Sequence, residues 1–288
     1  MFTEFVAAVA EHGFLQAALL GGLLASIACG LLGSLVVVNR IAFLAGGIAH
    51  SVLAGMGAAH YFDFSPLLGA LAAALAAALL IGWTRLRYAA HEDTLIGAFW
   101  AVGMAVGLLF ISQTPGYSSD LMSYLFGNIL LIPASSLWLM AAVDLVLMLL
   151  IGIFYRQFLA ISFDREHAAL RGVPVTLFYL LMLCMVALTV VLVIQVVGLI
   201  LVIALLTLPS ATAGHYVHSL RQMMLLSVLL GSGFTTAGLA LSFGPDLPAG
   251  PTIIVLAGAV YLLSAVIRAW VLKTRAARTV SDSLSVNA

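Results

Sequence analysis

Histidine in apolar surroundings is the residue type in this sequence best suited to chemistry. His50 stands in the middle of a long apolar stretch, within the six letters GGIAHS at 46–51. An imidazole suits zinc, manganese and iron ions, and an ionisable group near the centre of a membrane span usually faces a cavity or a partner. On a helix, His50 shares a face with the small residues at 46, 47, 54 and 57, which leave room for another helix or a path. A transient metal ligand and a hydrogen-bonded structural histidine fit this pattern equally well.

Three further polar residues could act on a cation. His60 ends the same apolar stretch beside Asp63, where the two could draw cations towards the mouth of a path or simply cap a helix. Asp144 stands inside another apolar stretch, where a carboxyl group could line an aqueous path or bond to a neighbouring helix. For all three residues the structural role is the favoured interpretation, with metal binding as the alternative.

The patterns of known catalytic sites are missing from the sequence. His215 and His218 could share a helical face, but no carboxylate or cysteine follows to complete a tetrahedral zinc site. Neither HExxH nor GxSxG occurs. The single lysine, Lys273, lies outside any GxxxxGK[ST] context, so the chain carries no phosphate-binding loop of its own. The sequence therefore predicts a protein that is not itself an enzyme.

Composition indicates what kind of element must position these residues. Of 288 residues, 64% are hydrophobic and 8% are charged, with a mean hydropathy of +1.21. Soluble domains carry about 25% charged residues, so the bilayer is the expected solvent and the fold class is an all-α, polytopic membrane protein. A net charge of zero leaves no basic face for nucleic acid. Cys29 and Cys184 lie in apolar runs, which argues against a disulfide.

Apolar runs of about 20 residues predict about nine transmembrane helices. The runs cover 14–38, 41–60, 66–83, 95–111, 136–155, 175–208 (two spans, broken at 195–198), 223–243 and 252–272. A shorter apolar piece at 121–132 predicts a re-entrant or interfacial helix. Residues 1–272 thus form one transmembrane domain, and residues 273–288 form a polar cytoplasmic tail.

The sidedness of charge predicts the orientation of these spans. With the amino terminus outside and the carboxyl terminus inside, nine crossings place all 11 lysines and arginines on the inner side. This is the partition that the positive-inside rule predicts. The outer side then has no lysine or arginine, and it carries the acidic residues Glu4, Glu11, Asp63, Asp120 and Asp246.

The longest inner connection, 156–174, has the composition of a segment that docks on a partner protein. Phe163 and Leu170 could fill a groove on that partner. Four charged residues could set the register of docking, namely Asp164, Arg165, Glu166 and Arg171. An ordinary interfacial helix is the alternative interpretation.

Five sets of short stretches occur in one order along the chain. They are GIAHS at 47–51, LFGNIL at 125–130, FD at 163–164 with RGVP at 171–174, VGLILV at 197–202 with LPSATA at 208–213, and DLPAGPT at 246–252. Together they resemble the permease subunits of ATP-binding-cassette importers for zinc, manganese and iron. The resemblance covers nearly the whole chain, from about residue 14 to residue 270.

The resemblance implies a function, a set of partners and roles for particular residues. It implies the permease of an ATP-driven importer of divalent Zn, Mn or Fe ions, which works by alternating access and has no tightly bound cofactor. The partners would be a second copy of the chain, two cytoplasmic ATP-binding subunits that hydrolyse ATP, and an extracytoplasmic metal-binding protein. The location would be a bacterial or archaeal plasma membrane. His50 would line the metal path, the segment 163–172 (with Gly172) would dock the ATPase, and the Asp246 loop would dock the binding protein.

This sequence departs from the family pattern at one position. Many members carry an aspartate four residues before the histidine, one helical turn away, but here that residue is Gly46. The remaining ligands and the identity of the metal stay open, with a modest preference against manganese, which favours oxygen ligands. The alternative function is an ATP-independent secondary carrier or channel for another small solute, in which Asp144 would be the only acidic group available for coupling. A permease for a chelated metal or vitamin, with a wide central cavity, is a third possibility.

Overall fold

A computed structural model describes residues 2–87, 92–114, 127, 129, 131–245 and 247–286 of the chain. Within these residues the chain forms twelve α-helices. They are α1 (Phe2–Glu11), α2 (Gly13–Val38), α3 (Ala42–Tyr61), α4 (Pro66–Arg87), α5 (Glu92–Gln113), α6 (Ala134–Ile153), α7 (Tyr155–Phe163), α8 (Arg165–Leu170), α9 (Val175–Val197), α10 (Leu199–Ala213), α11 (Leu220–Phe243) and α12 (Ala249–Val286).

Eight of these helices are long and apolar enough to cross a membrane, namely α2, α3, α4, α5, α6, α9, α11 and the first part of α12. The remaining predicted span, the seventh along the chain, corresponds to α10, which is helical but has only 15 residues. At 1.5 Å per residue it is about 22 Å long, shorter than the roughly 30 Å hydrocarbon core. The prediction of an all-helical polytopic protein is confirmed, with eight candidate spans and one shorter apolar helix. Most of the predicted re-entrant piece at 121–132 lies outside the described residues.

The break between α9 and α10 falls at Gly198, inside the interval that the sequence predicted. Gly198 has φ 80° and ψ 166°, a backbone conformation that is essentially restricted to glycine. Gly127 packs directly on this break, because a Cβ atom at Gly127 would overlap the backbone of Val197 and Gly198. The long apolar tract 175–208 is therefore divided by backbone geometry, although its hydropathy is continuous.

Small residues determine how closely α3 packs against its neighbours. A Cβ atom added at Gly57 would lie 2.5 Å from the carbonyl oxygen of Gly107, and one added at Gly103 would lie 2.8 Å from the Cα atom of Ser51. These contacts show that α3 and α5 run in the same direction. Membrane helices without a hydrophobic drive to associate gain from such close backbone approach, so α5 is held tightly along the face of α3 that carries His50.

The segment 156–174, predicted as the longest loop, is mostly helical. Asp164 separates α7 from α8, and its Oδ1 atom accepts a hydrogen bond of 2.9 Å from the backbone N–H of His167. Gly172, at φ 79°, ends α8 in a Schellman turn in which Val173 N–H donates to the carbonyl of Ala168. These two caps give the segment a defined shape as a corner between two short helices.

Both ends of the chain are more helical than the sequence indicated. The unpredicted helix α1 packs Phe5 against Phe243 of α11, with ring centroids 5.8 Å apart. At the other end, α12 continues to Val286, so the predicted polar tail at 273–288 begins as the extension of a transmembrane helix.

Candidate functional site

His50 is buried at the contact between α3 and α5. Its side chain is 8% exposed, and among the described residues its buried Nδ1 atom has no hydrogen-bond partner. The imidazole stacks on the indole of Trp100 in α5, with ring centroids 4.0 Å apart and an angle of 18° between the planes. A buried polar atom without a partner costs about 1–3 kcal/mol. Among the described residues, one ring nitrogen of His50 therefore has no protein partner.

Trp100 also occupies the space beside Gly46, where the sequence lacks the family's aspartate. A Cβ atom added at Gly46 would lie 3.1 Å from Cζ3 of Trp100, tighter than an ordinary contact. Any side chain at position 46 would therefore require the indole to shift. Sequence analysis did not single out Trp100. The sequence did contain a signal for it: Trp100 shares one helical face with Ile96, Gly103 and Gly107, the face that packs on α3.

His60 and Asp63 lie away from His50. His60 is ten residues further along α3, which corresponds to about 15 Å along the helix axis, and it is half-buried. Asp63 follows the end of the helix, exposed, with a left-handed φ of 57°. The structure places the two at the end of α3, as the sequence predicted, but separates them from the buried imidazole.

Asp144 lies in a different part of the bundle, where α6 packs on α2 and α9. Its side chain is 4% exposed and borders a cavity of about 10 Å³, close to the space that the centre of one water molecule needs. Thr189 lines the same cavity, and neither Asp144 Oδ2 nor Thr189 Oγ1 has a hydrogen-bond partner among the described residues. The carboxyl group therefore faces a small, mostly apolar pocket between helices, in which Thr189 is the other polar lining residue among those described.

These positions do not assemble into one metal centre. The described part of the chain contains no group of three or more histidine, cysteine, aspartate or glutamate side chains that could hold a metal ion. His215 is also committed elsewhere, since its Nδ1 atom lies 2.7 Å from Ser264 Oγ and its ring stacks on Tyr261. Burial, and then the charge of Arg268, lower the pKa of His215. Within the described residues, His50 is therefore not part of a ready-made metal centre of three or more such side chains.

A polar network joins α7 and α8 to the long helices. The Arg165 guanidinium lies over the ring of the fully buried Tyr179 in α9, 4.5 Å from its centroid, and 3.5 Å from Asn39 Oδ1 at the end of α2. Asn39 Nδ2 donates to Ser162 Oγ at 2.9 Å. Arg85 of α4 donates to the Tyr179 hydroxyl at 3.1 Å. Tyr179 and Asn39 thus connect the short helices to α2, α4 and α9.

The predicted docking residues divide into two groups in the structure. Phe163 is 72% exposed and Leu170 is 88% exposed, so both project from the corner between the short helices. Glu166, Arg171 and Gly172 are exposed beside them. Asp164 is exposed but caps α8, and Arg165 is half-buried against Tyr179. Asp246, predicted to dock the outer binding protein, lies outside the described residues.

Comparison with known proteins identifies the family. The model of the ABC 3 transport family matches residues 11–268. This chain belongs to the ABC 3 transport family. It is similar to an uncharacterized membrane protein of Synechocystis, with 47% identity over 90% of this chain and 92% of the relative. It is similar also to the manganese import system permease protein ScaB of Streptococcus gordonii, with 31% identity over 92% of this chain and 95% of the relative.

A solved structure shares the fold of this ABC 3 family chain. PsaBC from Streptococcus pneumoniae, in complex with a Fab, matches with a TM-score of 0.83 and 31% identity, covering 92% of this chain and 95% of the matched one. Membership in the ABC 3 family confirms the resemblance stated from the motifs. It also confirms a permease subunit whose ATPase is a separate protein.

Within this ABC 3 permease, the structure adds two residues that sequence analysis missed. Trp100 covers His50, and Tyr179 joins the exposed corner to the bundle. Both are aromatic residues in apolar helices, where hydropathy alone does not distinguish them from ordinary core residues.

Proposed function

We propose that this chain is the membrane-spanning permease of an ATP-driven importer of divalent transition-metal ions, with His50 as a ligand on the metal path. The observation that carries the proposal is a buried imidazole with an unpaired Nδ1 atom in the middle of a membrane-spanning helix of an ABC 3 family chain. The Streptococcus gordonii relative is named for manganese import. The cargo therefore belongs to the group of zinc, manganese and iron.

An isolated histidine suits a site that must release its ion. Four protein ligands around a metal make a closed structural site, whereas fewer ligands leave positions open to water or exchange. Among the described residues no group of three or more histidine, cysteine, aspartate or glutamate side chains surrounds His50, and we expect binding there to be weak enough for passage. His60 and Asp63, at the end of α3, are placed to attract cations towards the path rather than to hold them.

The assembly we propose contains two copies of this chain, two ATP-binding subunits and an extracytoplasmic metal-binding protein, in a bacterial or archaeal plasma membrane. The amino terminus lies outside and the carboxyl terminus inside, an orientation that counts the 15-residue helix α10 as a crossing in addition to the eight longer helices. The meeting of Asn39, Arg85 and Arg165 at one end of the bundle supports this orientation, because the positive-inside rule gathers basic residues on the cytoplasmic side. The outer protein would dock near the Asp246 loop.

The corner formed by α7 and α8 is the proposed contact for the ATPase. Phe163 and Leu170 are large apolar side chains outside the predicted spans, and such side chains act as anchors in protein grooves. Movement of this corner would reach α9, α2 and α4 through Arg165, Tyr179 and their partners. We propose that movement passes through this network to α4, which packs on the helix α3 that carries His50.

Tyr179→Leu tests this route. We expect the variant to assemble and to hydrolyse ATP, but to transport about tenfold less metal per ATP, because both the Arg165 stacking and the Arg85 hydrogen bond are lost. Tyr179→Phe keeps the Arg165 stacking, so its transport of metal per ATP should lie between those of the wild type and Tyr179→Leu. The ratio of metal transported to ATP hydrolysed in proteoliposomes is the measurement.

Phe234→Leu is the matched control for this experiment. Phe234 is a buried aromatic residue of α11, a helix that contributes no described residue to the network of Arg165 and Tyr179. Its replacement should leave the ratio of transport to hydrolysis unchanged. An unaltered ratio in Tyr179→Leu would contradict the proposed route.

The function itself is tested with the wild-type complex. The permease is co-expressed with its ATPase subunits, reconstituted in proteoliposomes and supplied with the metal-binding protein loaded with zinc, manganese or iron. We expect metal uptake that requires ATP and metal-dependent ATPase activity. Uptake by the permease alone, driven by an ion gradient, would instead establish the secondary carrier or channel.

A further inference from the structure

The Trp100 indole is held between two side chains of α3. Phe43, Gly46 and His50 recur at helical spacing along one face of α3. The ring centroid of Trp100 lies 4.0 Å from that of His50 and 5.8 Å from that of Phe43. The Cζ3 atom of Trp100 lies next to Gly46. The indole therefore fills the position that a side chain at residue 46 would need, and its face lies parallel to the imidazole.

This arrangement places a cation-attracting surface against the metal-binding histidine. The face of an indole carries partial negative charge and attracts cations within about 6 Å. An ion bound in the plane of an imidazole, about 2 Å from its nitrogen, would lie on the order of 5 Å from the indole, and the imidazole itself would gain positive charge. Trp100 thus stabilises the ion-loaded form of His50 more than the empty form.

We propose that Trp100 replaces a carboxylate at position 46 as the group that stabilises positive charge at His50, and that this makes the path select Zn²⁺ over Mn²⁺. The proposal rests on the proposed function. An aromatic face supplies attraction but no oxygen ligand. Manganese prefers oxygen ligands, whereas zinc binds imidazole well, so a site built from His50 and Trp100 favours zinc.

The two ways of stabilising the ion compete for the same space. A Cβ atom at residue 46 would lie 3.1 Å from Trp100 Cζ3, so the indole would have to shift by a few tenths of an ångström to admit any side chain there. An aspartate at position 46 therefore fits best with a smaller residue at position 100. The pair 46 and 100 therefore determines metal preference jointly, and exchanging both residues should reverse it.

The test compares Zn²⁺ and Mn²⁺ uptake by the full permease–ATPase complex in proteoliposomes. The wild type should transport zinc about tenfold better than manganese at equal subsaturating concentration. Trp100→Leu should lose roughly tenfold in zinc uptake, and Trp100→Phe should retain most of it because an aromatic face remains. The double variant Gly46→Asp with Trp100→Leu should recover uptake with manganese now preferred.

Controls separate selection from folding and from the function itself. Trp138→Leu replaces a tryptophan of α6 that is 78% exposed, and should leave the preference unchanged. If the wild type transports divalent metals but Trp100→Leu keeps both its uptake and its preference, the role of Trp100 is overturned. A double variant that still prefers zinc also overturns it. If the wild type transports no divalent metal, the proposed function fails instead.

Discussion

Replacing His50 with alanine is expected to reduce ATP-driven metal uptake by about 100-fold or more, while the complex still assembles and binds ATP. The imidazole is the only described side chain on the α3–α5 contact that offers a buried, unpaired ring nitrogen. Without it, an ion entering the membrane would meet apolar surface and the Trp100 face alone. Uptake of radioactive zinc or manganese into proteoliposomes measures the loss.

His50→Phe separates the ligand role from the packing role in this experiment. Phenylalanine can still stack on Trp100 but offers no nitrogen, so this variant should lose uptake as fully as His50→Ala and keep more stability. His60→Ala, on the same helix but about 15 Å away, should reduce uptake by only about threefold or less, as expected for a residue outside the binding position. Normal uptake by His50→Phe would exclude the ligand role.

Changing both Phe163 and Leu170 to aspartate is expected to release the ATPase subunits from the permease. Large apolar anchors at protein interfaces contribute about 2 kcal/mol or more each, so each change should weaken association by roughly 30-fold. Because both side chains are 72% or more exposed, the stability of the isolated permease should change by less than about 0.5 kcal/mol. Co-purification of the subunits from detergent measures association.

Glu166→Gln is the matched control for the docking variants. Glu166 is an exposed neighbour in α8, and charges at the rim of an interface contribute little to affinity. This variant should retain the ATPase subunits at the wild-type ratio. Full retention by the Phe163 and Leu170 double variant would contradict docking at this corner and leave the α7–α8 segment an ordinary interfacial helix.

Hydropathy was sufficient to predict the long helices. An apolar segment in lipid must satisfy its backbone hydrogen bonds internally, so it forms a helix whatever its neighbours are. The break at Gly198 was also accessible, since a tract of 34 residues exceeds a single crossing. The two caps of α8 were accessible in principle, because Asp164 and Gly172 have the residue types that such caps require. The two caps were not predicted, because Asp164 and Gly172 in the segment 156–174 were interpreted as residues that contact a partner protein.

The sequence did not predict which neighbours individual side chains would face. Arg165 was predicted to face the ATPase, but it is half-buried between Tyr179 of the next helix and Asn39, which lies 126 residues away in sequence. Asp144 was considered for the metal path, but it borders a pocket with Thr189 that α2 and α9 help to form. In both cases the decisive neighbours lie on other helices that only the folded chain brings together.

The sequence alone indicated that the protein lies in the membrane, where its apolar helices are, and that His50 is the first residue to test by mutation. Those properties follow from the local composition of each segment, which decides whether that segment can cross the bilayer. Only the tertiary structure decided that Trp100 covers His50 beside Gly46 and that Tyr179 joins the outer corner to the bundle. Both contacts depend on which helices lie side by side. The close packing of α3 on α5, for example, is possible because small residues such as Gly57 and Gly107 face each other. Ångström-scale packing of this kind has no counterpart in a hydropathy profile.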